Sequence, residues 1–137
     1  MSIKINEISI GDYISYCDRV YKVHSIDGQG LVGASNNSYS SPHILKHIGY
    51  LEPIPITAEI LEANGFEDMG SGLLRYEWEW RKNTTQIMLG SFDEELWFAD
   101  FDFCGKKNNF VSNIPMFYIN QLQHILRLAG VEKEIIL

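Results

Sequence analysis

The sequence predicts an α+β protein in which an amino-terminal SH3-like small β-barrel is followed by an antiparallel sheet packed by one carboxy-terminal helix. Three observations lead there. Up to residue 55, short β-branched and aromatic runs are separated by the turn signals Gly11-Asp12, Cys17-Asp18-Arg19 and Asp27-Gly28, the pattern of short strands joined by tight turns. Further on, Leu74, Tyr76, Trp78 and Trp80 alternate with Arg75, Glu77, Glu79 and Arg81, a period of two that sets an apolar face against a charged one. Finally, Tyr118, Ile119, Leu122, Ile125, Leu126 and Ala129 recur at helical spacing, which predicts a helix lying on that sheet.

Taking the elements in order, Tyr13 to Tyr16 reads as the first strand. Val20, Lys22 and His24 then alternate with Tyr21, Val23 and Ser25, giving a half-buried second strand with one ionisable face. Asp27-Gly28, with Gly30 behind it, turns the chain into a third strand at Leu31 to Ala34. Closing such strands into a barrel removes exposed sheet edges, and residues 1–55 are expected to form that SH3-like unit. Asn36 to Ser41 is too polar to bury surface and reads as an exposed loop. His43 and His47 share one face if a helical turn forms at His43 to Ile48. A zinc ion would need further ligands, for which Cys17 and His24 are the candidates. The spacing matches no recognised ligand set, so the imidazoles read as surface or partly packed groups, and no metal or cofactor is expected.

Pro53 and Pro55 lack a backbone donor and bias their predecessors toward extended geometry, so Glu52 to Ile56 reads as a crossing segment. Thr57 can cap a helix over Ala58 to Ala63, with Ile56 stapling onto Leu61 and Glu59 near the positive end of the dipole. Asn64 as C-cap, a left-handed Gly65 and Phe66 folding back on Leu61 end it. Residues 56–137, this hinge helix plus the sheet and the last helix, are expected to pack as one unit. Within it Asp68 to Gly72 and Asn83-Thr84 read as turns flanking the alternating strand, followed by strands at Gln86 to Gly90, Leu96 to Phe103 and Phe110 to Ile114. Trp97, Ala99, Phe101 and Phe103 share one face of the third of these four strands, while Phe98, Asp100 and Asp102 share the other. Ser91 to Glu95 and Cys104 to Asn109 are the connecting loop and turn. Pro115 suits the first turn of the closing helix, Arg127 its negative end and Gly130 its stop. Gln121, Gln123 and His124 are expected to face mostly outward, and Val131 to Leu137 to form a terminal strand or docked tail.

The stretches IGDYISYCDRVYKV from Ile10 to Val23, EPIPIT from Glu52 to Thr57 with its short helix ending Asn64-Gly65-Phe66, and NQLQ from Asn120 to Gln123 resemble, in that order, a group of small uncharacterised proteins of Bacteroidetes genomes and their phages or integrated elements. The resemblance covers both ends and the middle of the chain. Residues 36–49 are longer than it leads one to expect, and Asn120 stands where a His often precedes Q-L-Q, so no role for that His carries over. The group implies no catalytic residue and no ligand.

Eighteen acidic against eleven basic residues give a formal net charge of −7, which opposes attraction to phosphate and speaks against general nucleic-acid binding. A hydrophobic content of 45% over 137 residues is enough for a core that folds alone. The start MSIKINEISIGDY lacks a basic-then-apolar signal, and no apolar run nears the roughly 18 residues of a membrane span, so a cytoplasmic location without membrane contact is expected. Cys17 and Cys104 form no CxxC and are expected as free buried thiols. With no G-x-S-x-G and no phosphate-cradling loop, no catalytic residue is assigned. The aromatic series Tyr76, Trp78, Trp80, Trp97, Phe101 and Phe103 reads as core, or as a protein-binding patch where exposed.

Three functional expectations follow. The first is a non-enzymatic interaction or accessory protein of a phage or mobile element, its partner another protein. The second is an acidic inhibitor that presents Glu77, Glu79, Asp93, Glu94, Glu95, Asp100 and Asp102 to a basic groove in imitation of nucleic acid. The third is a metal-dependent hydrolase or nuclease in which Asp100 and Asp102, with Glu77 or Glu79, bridge a hard cation.

Overall fold

A computed structural model describes residues 7–36, 43–80, 83–91, 93, 95–102 and 110–137. Strands β1 (Tyr13–Tyr16), β2 (Arg19–Ile26), β3 (Leu31–Ser35) and β4 (His43–His47) form one antiparallel sheet in sequential order. The β1–β2 hairpin turns on Cys17 and Asp18, both at positive φ (50° and 61°), the handedness that lets a two-residue turn follow the strand twist. Cys17 is exposed there, against the buried thiol expected. At the next turn the Asp27 carboxylate accepts the backbone N–H of Gln29 and Leu31 at 2.8 and 2.9 Å.

The SH3-like barrel expected over residues 1–55 does not form: among the described residues β1 and β4 are the two edges of an open sheet. Beyond β4 the chain enters a 3-10 turn, Ile48–Tyr50, and touches β1 through a single bridge, Ser15 to Glu52. The next residue that could extend this pairing, Ile54, gives its carbonyl to Ile119 N at 2.8 Å instead, so the closing strand ends after one residue. The sheet instead buries Ile14, Tyr21, Val23, Val32 and Ala34 against Ile8, Ile48 and Leu51. His43–His47 is a strand paired in register with β3, not a helical turn. The His47 ring nitrogen Nδ1 accepts from Gly49 N at 3.1 Å and shapes the 3-10 turn.

The hinge helix α1 (Ala58–Ala63) is capped by Thr57, whose Oγ1 accepts from Ile60 N at 3.2 Å. It ends as its residues demand, because Gly65 at φ 88° directs Phe66 N to Leu61 O (3.0 Å) and Gly65 N to Glu62 O (3.1 Å). The second sheet, β5 (Glu67–Gly70), β6 (Leu73–Trp80), β7 (Asn83–Ser91), β8 (Trp97–Asp102) and β9 (Phe110–Met116), is an antiparallel meander. Asp68 to Gly70, read as turn, pair with β6, and Asn83 opposes Trp80, which places residues 83 and 84 inside β7. The molecule is therefore mostly β, two antiparallel sheets with a helix near the carboxy terminus. Of the predicted architecture it keeps the second sheet and its helix.

Helix α2 (Ile119–Leu128) covers that sheet, with Ile119, Leu122 and Leu126 in one core with Leu74, Ile87, Leu89, Ala99 and Phe101. Pro115 lies in β9 opposite Phe98 and does not open the helix. Gln121 caps the helix from its first turn, its Oε1 accepting Phe117 N at 2.7 Å and Tyr118 N at 3.0 Å. Gln123, expected to face outward, turns inward because buried backbone needs partners. Gln123 is buried and bonds both Lys133 O (3.0 Å) and Ile135 N (2.8 Å). Asn64 does the same for Ile136 through its N–H to O (3.0 Å) and its Oδ1 from N (2.7 Å). These two amides dock the segment after α2 without a strand, and Val131 and Ile135 enter the core behind them.

His124 faces the first sheet. Asp12, with its side chain wholly buried, accepts Ser9 N (2.8 Å) and His124 Nε2 (2.9 Å) on Oδ2, while Arg127 Nη1 reaches Oδ1 at 3.4 Å. Further links between the halves are Ile56 N to Phe117 O (3.0 Å), Ile119 N to Ile54 O (2.8 Å) and Tyr13 packed on the second core. No described helix is long and apolar enough to cross a membrane.

Candidate functional site

A concavity of about 560 Å³ lies between α1 and the β5–β6 turn. Its geometry follows from local sequence. The Thr57 cap starts α1 at a point where Glu59 and Glu62, three residues apart, both line the cleft. The left-handed Gly65 reverses the chain so that β5 brings Asp68 to the opposite wall, where its Oδ1 accepts Gly70 N at 2.8 Å. The turn beyond holds three successive residues at positive φ, Gly70 (83°), Ser71 (56°) and Gly72 (76°). Leu74 and Trp97 form the floor, and the indole of Trp97 is fixed by its N–H to Ile56 O, 3.1 Å. Three carboxylates thus surround an apolar base, with no basic side chain among the described lining residues.

A second hollow, about 270 Å³, opens on the outer face of the sheet and shares Ser71, Gly72 and Ser91 with the first. Register explains it. Leu73, Gly90 and Phe98 lie in one row across β6, β7 and β8, and Arg75, Met88 and Asp100 lie in the next. Gly90 lets the Leu73 side chain lie close over β7 in this row, for a Cβ there would stand 2.9 Å from Leu73 Cδ2.

The sequence-predicted acids fall elsewhere: Glu77, Glu79, Asp100 and Asp102 share the outer face of the second sheet by register, and Asp93 and Glu95 lie in the loop between β7 and β8. Glu77 is paired with Arg75 at 3.1 Å, on the guanidinium that also takes Glu67 at 3.1 Å. Glu79 is exposed on the same strand face. Asp100 borders the second hollow, and Asp102 stands opposite Gln86. Asp93 is turned into its own loop, accepting the N–H of Glu95 and Leu96 at 2.9 Å each, and Glu95 is exposed. Glu94, Phe103, Arg81, the turn at Cys104 to Asn109 and all but Asn36 of the polar loop lie outside the described residues. Among the described residues no three His, Cys, Asp or Glu are grouped to hold a metal ion. Of the aromatic series, Trp97 and Phe101 are core, while Tyr76 and Trp78 are half-buried and stacked at 6.2 Å between ring centres.

The cleft residues Glu59, Glu62 and Asp68 were legible only as a helix-dipole acid, a helical residue and a turn. Two glutamates at i and i+3 immediately before a left-handed glycine were the available signal. No family model matches this chain, and no curated protein or solved structure matches it either.

Backbone donors hold two exposed carboxylates below their ordinary value of 3.8: Leu31 and Gln29 N–H for Asp27, Leu96 and Glu95 N–H for Asp93. Both folded values are depressed, so any stability they contribute is present above the unfolded value and lost as pH falls through the folded one. Carboxyl carbon shifts followed by NMR are expected to place both midpoints under 3.8. A midpoint at or above it would refute the loop geometry.

Proposed function

We propose that this chain is a non-enzymatic interaction protein whose partner is another protein, held through a basic side chain seated in the cleft beside α1. The resemblance of its motifs supports a place among accessory proteins of Bacteroidetes phages or mobile elements. One observation carries the reading: Glu59, Glu62 and Asp68 surround a floor of Leu74 and Trp97. A lysine or arginine matches that arrangement, its aliphatic stem on the apolar floor and its cationic head among the carboxylates. Of the acids outside the cleft, Glu67 and Glu77 already share Arg75, and Asp93 serves its own loop.

The test is selection of binders from a random peptide display library, followed by titration of the selected peptides and their lysine-acetylated forms. Enrichment of basic residues is expected, with affinity that falls as salt screens the cleft over a Debye length of about 8 Å. The triple variant Glu59→Gln, Glu62→Gln, Asp68→Asn should bind roughly tenfold or more weakly at unchanged circular dichroism, since the three positions are exposed. Equal binding by the variant, or by acetylated peptides, would overturn the proposal.

A further inference from the structure

We infer that the site reads two neighbouring side chains of its partner, a basic one in the acidic cleft and an apolar one in the hollow over Gly90, with the turn at 70–72 as the divider. This rests on the interaction reading above and adds the chemistry of the second position. The two concavities are contiguous, with Ser71, Gly72 and Ser91 belonging to both walls. Their characters differ. The first carries three carboxylates, whereas the second is walled by Leu73, Met88 and Phe98 with Asp100 at its border.

One of the residues lining the hollow is a glycine within a strand, Gly90. A glycine inside a strand loses packing and costs backbone entropy, and it recurs where another group approaches the backbone closely. Gly90 sits mid-row on a face whose neighbours Leu73 and Phe98 are large, and the group that approaches it is Leu73, 38% exposed, whose Cδ2 forms the near wall of the hollow. At about 270 Å³ the space suits one aliphatic side chain rather than a cofactor. Charge complementarity fixes the companion: the acidic cleft across the turn selects a cation, so the occupant is a peptide segment that pairs a lysine or arginine with a nearby leucine, isoleucine or methionine.

The experiment uses the full chain and a panel of capped peptides carrying one lysine and one leucine at increasing separation, with leucine-to-alanine and acetyl-lysine controls, read by calorimetry. One separation is expected to bind best, and changing its leucine to alanine should weaken it roughly tenfold, as for a buried side chain. Gly90→Val, which pushes the Leu73 side chain off β7 and into the hollow, should abolish the leucine preference while leaving the lysine dependence. If that variant fails to fold, Phe98→Ala, which removes a wall from a half-exposed position, should reduce the same preference. Lysine-dependent binding with no leucine preference in the native protein would overturn this inference and leave the interaction reading standing. Absence of any lysine dependence would overturn both.

Discussion

Replacing Asp12 by alanine is expected to lower the free energy of unfolding by roughly 3 kcal/mol, near the lower end of what loss of one partner from a buried ion pair costs. The carboxylate side chain is 0% exposed and ties Ser9 N, His124 and Arg127 together. Its removal leaves Ser9 N and His124 without their acceptor, and Arg127 without its nearer carboxylate, in the joint between the first sheet and α2. The value stays at the low end because His124 and Arg127 are 29% and 34% exposed, so water reaches them, and Arg127 keeps Glu134 at 3.7 Å. Asp12→Asn retains an acceptor for Ser9 N without the charge and should fall between the two, losing about 1–2 kcal/mol. Urea unfolding of the three proteins checks this. A loss below about 1 kcal/mol for the alanine variant would mean that packing of Tyr13, Ile54 and Ile119 alone holds the joint.

That joint also marks where the sequence stopped being readable. Thr57, Gly65 and Phe66 act on neighbours within a few residues, and the helix they delimit could be drawn before any coordinates. The alternation from Leu74 to Trp80 likewise assigns each side chain to a face, since the period of a strand is a local property. Closure of the first sheet is not local. It depends on whether the segment after His47 can return to β1, and that segment makes one bridge, at Glu52, before Ile54 turns its carbonyl to Ile119 N. The contact of Asp12 with His124 joins residues 112 apart in the chain. Gln123 and Asn64 were misplaced or half-understood for the same reason. A polar residue on a helix defaults to solvent, and nothing within the helix shows that an unpaired strand-like tail will need its amide. The cleft, too, is a product of packing between α1 and the ends of strands whose relative positions no periodicity encodes.

The register of the second sheet supplies the sharpest contrast between neighbouring residues. Phe101→Ala is expected to cost about 3–5 kcal/mol, the range for a buried phenylalanine whose cavity cannot collapse. It is 2% exposed, sits on β8 opposite Ile87 and Val111, and shares the core with Leu122 and Leu126 of α2. Phe98 is three residues earlier on the same strand and therefore on the opposite face, half-exposed in the row with Leu73 and Gly90. Phe98→Ala should cost about 1 kcal/mol or less, because the ring leaves water only in part and its loss merely widens a solvent-open hollow. A one-residue slip of β8 would exchange the two faces and with them the two penalties. Against a typical total stability of about 5–15 kcal/mol, the first variant should melt well below the second. Denaturant midpoints for the pair therefore test the sheet register directly: similar losses at both positions, or a larger loss at Phe98, would exclude the arrangement that gives the Gly90 hollow its walls.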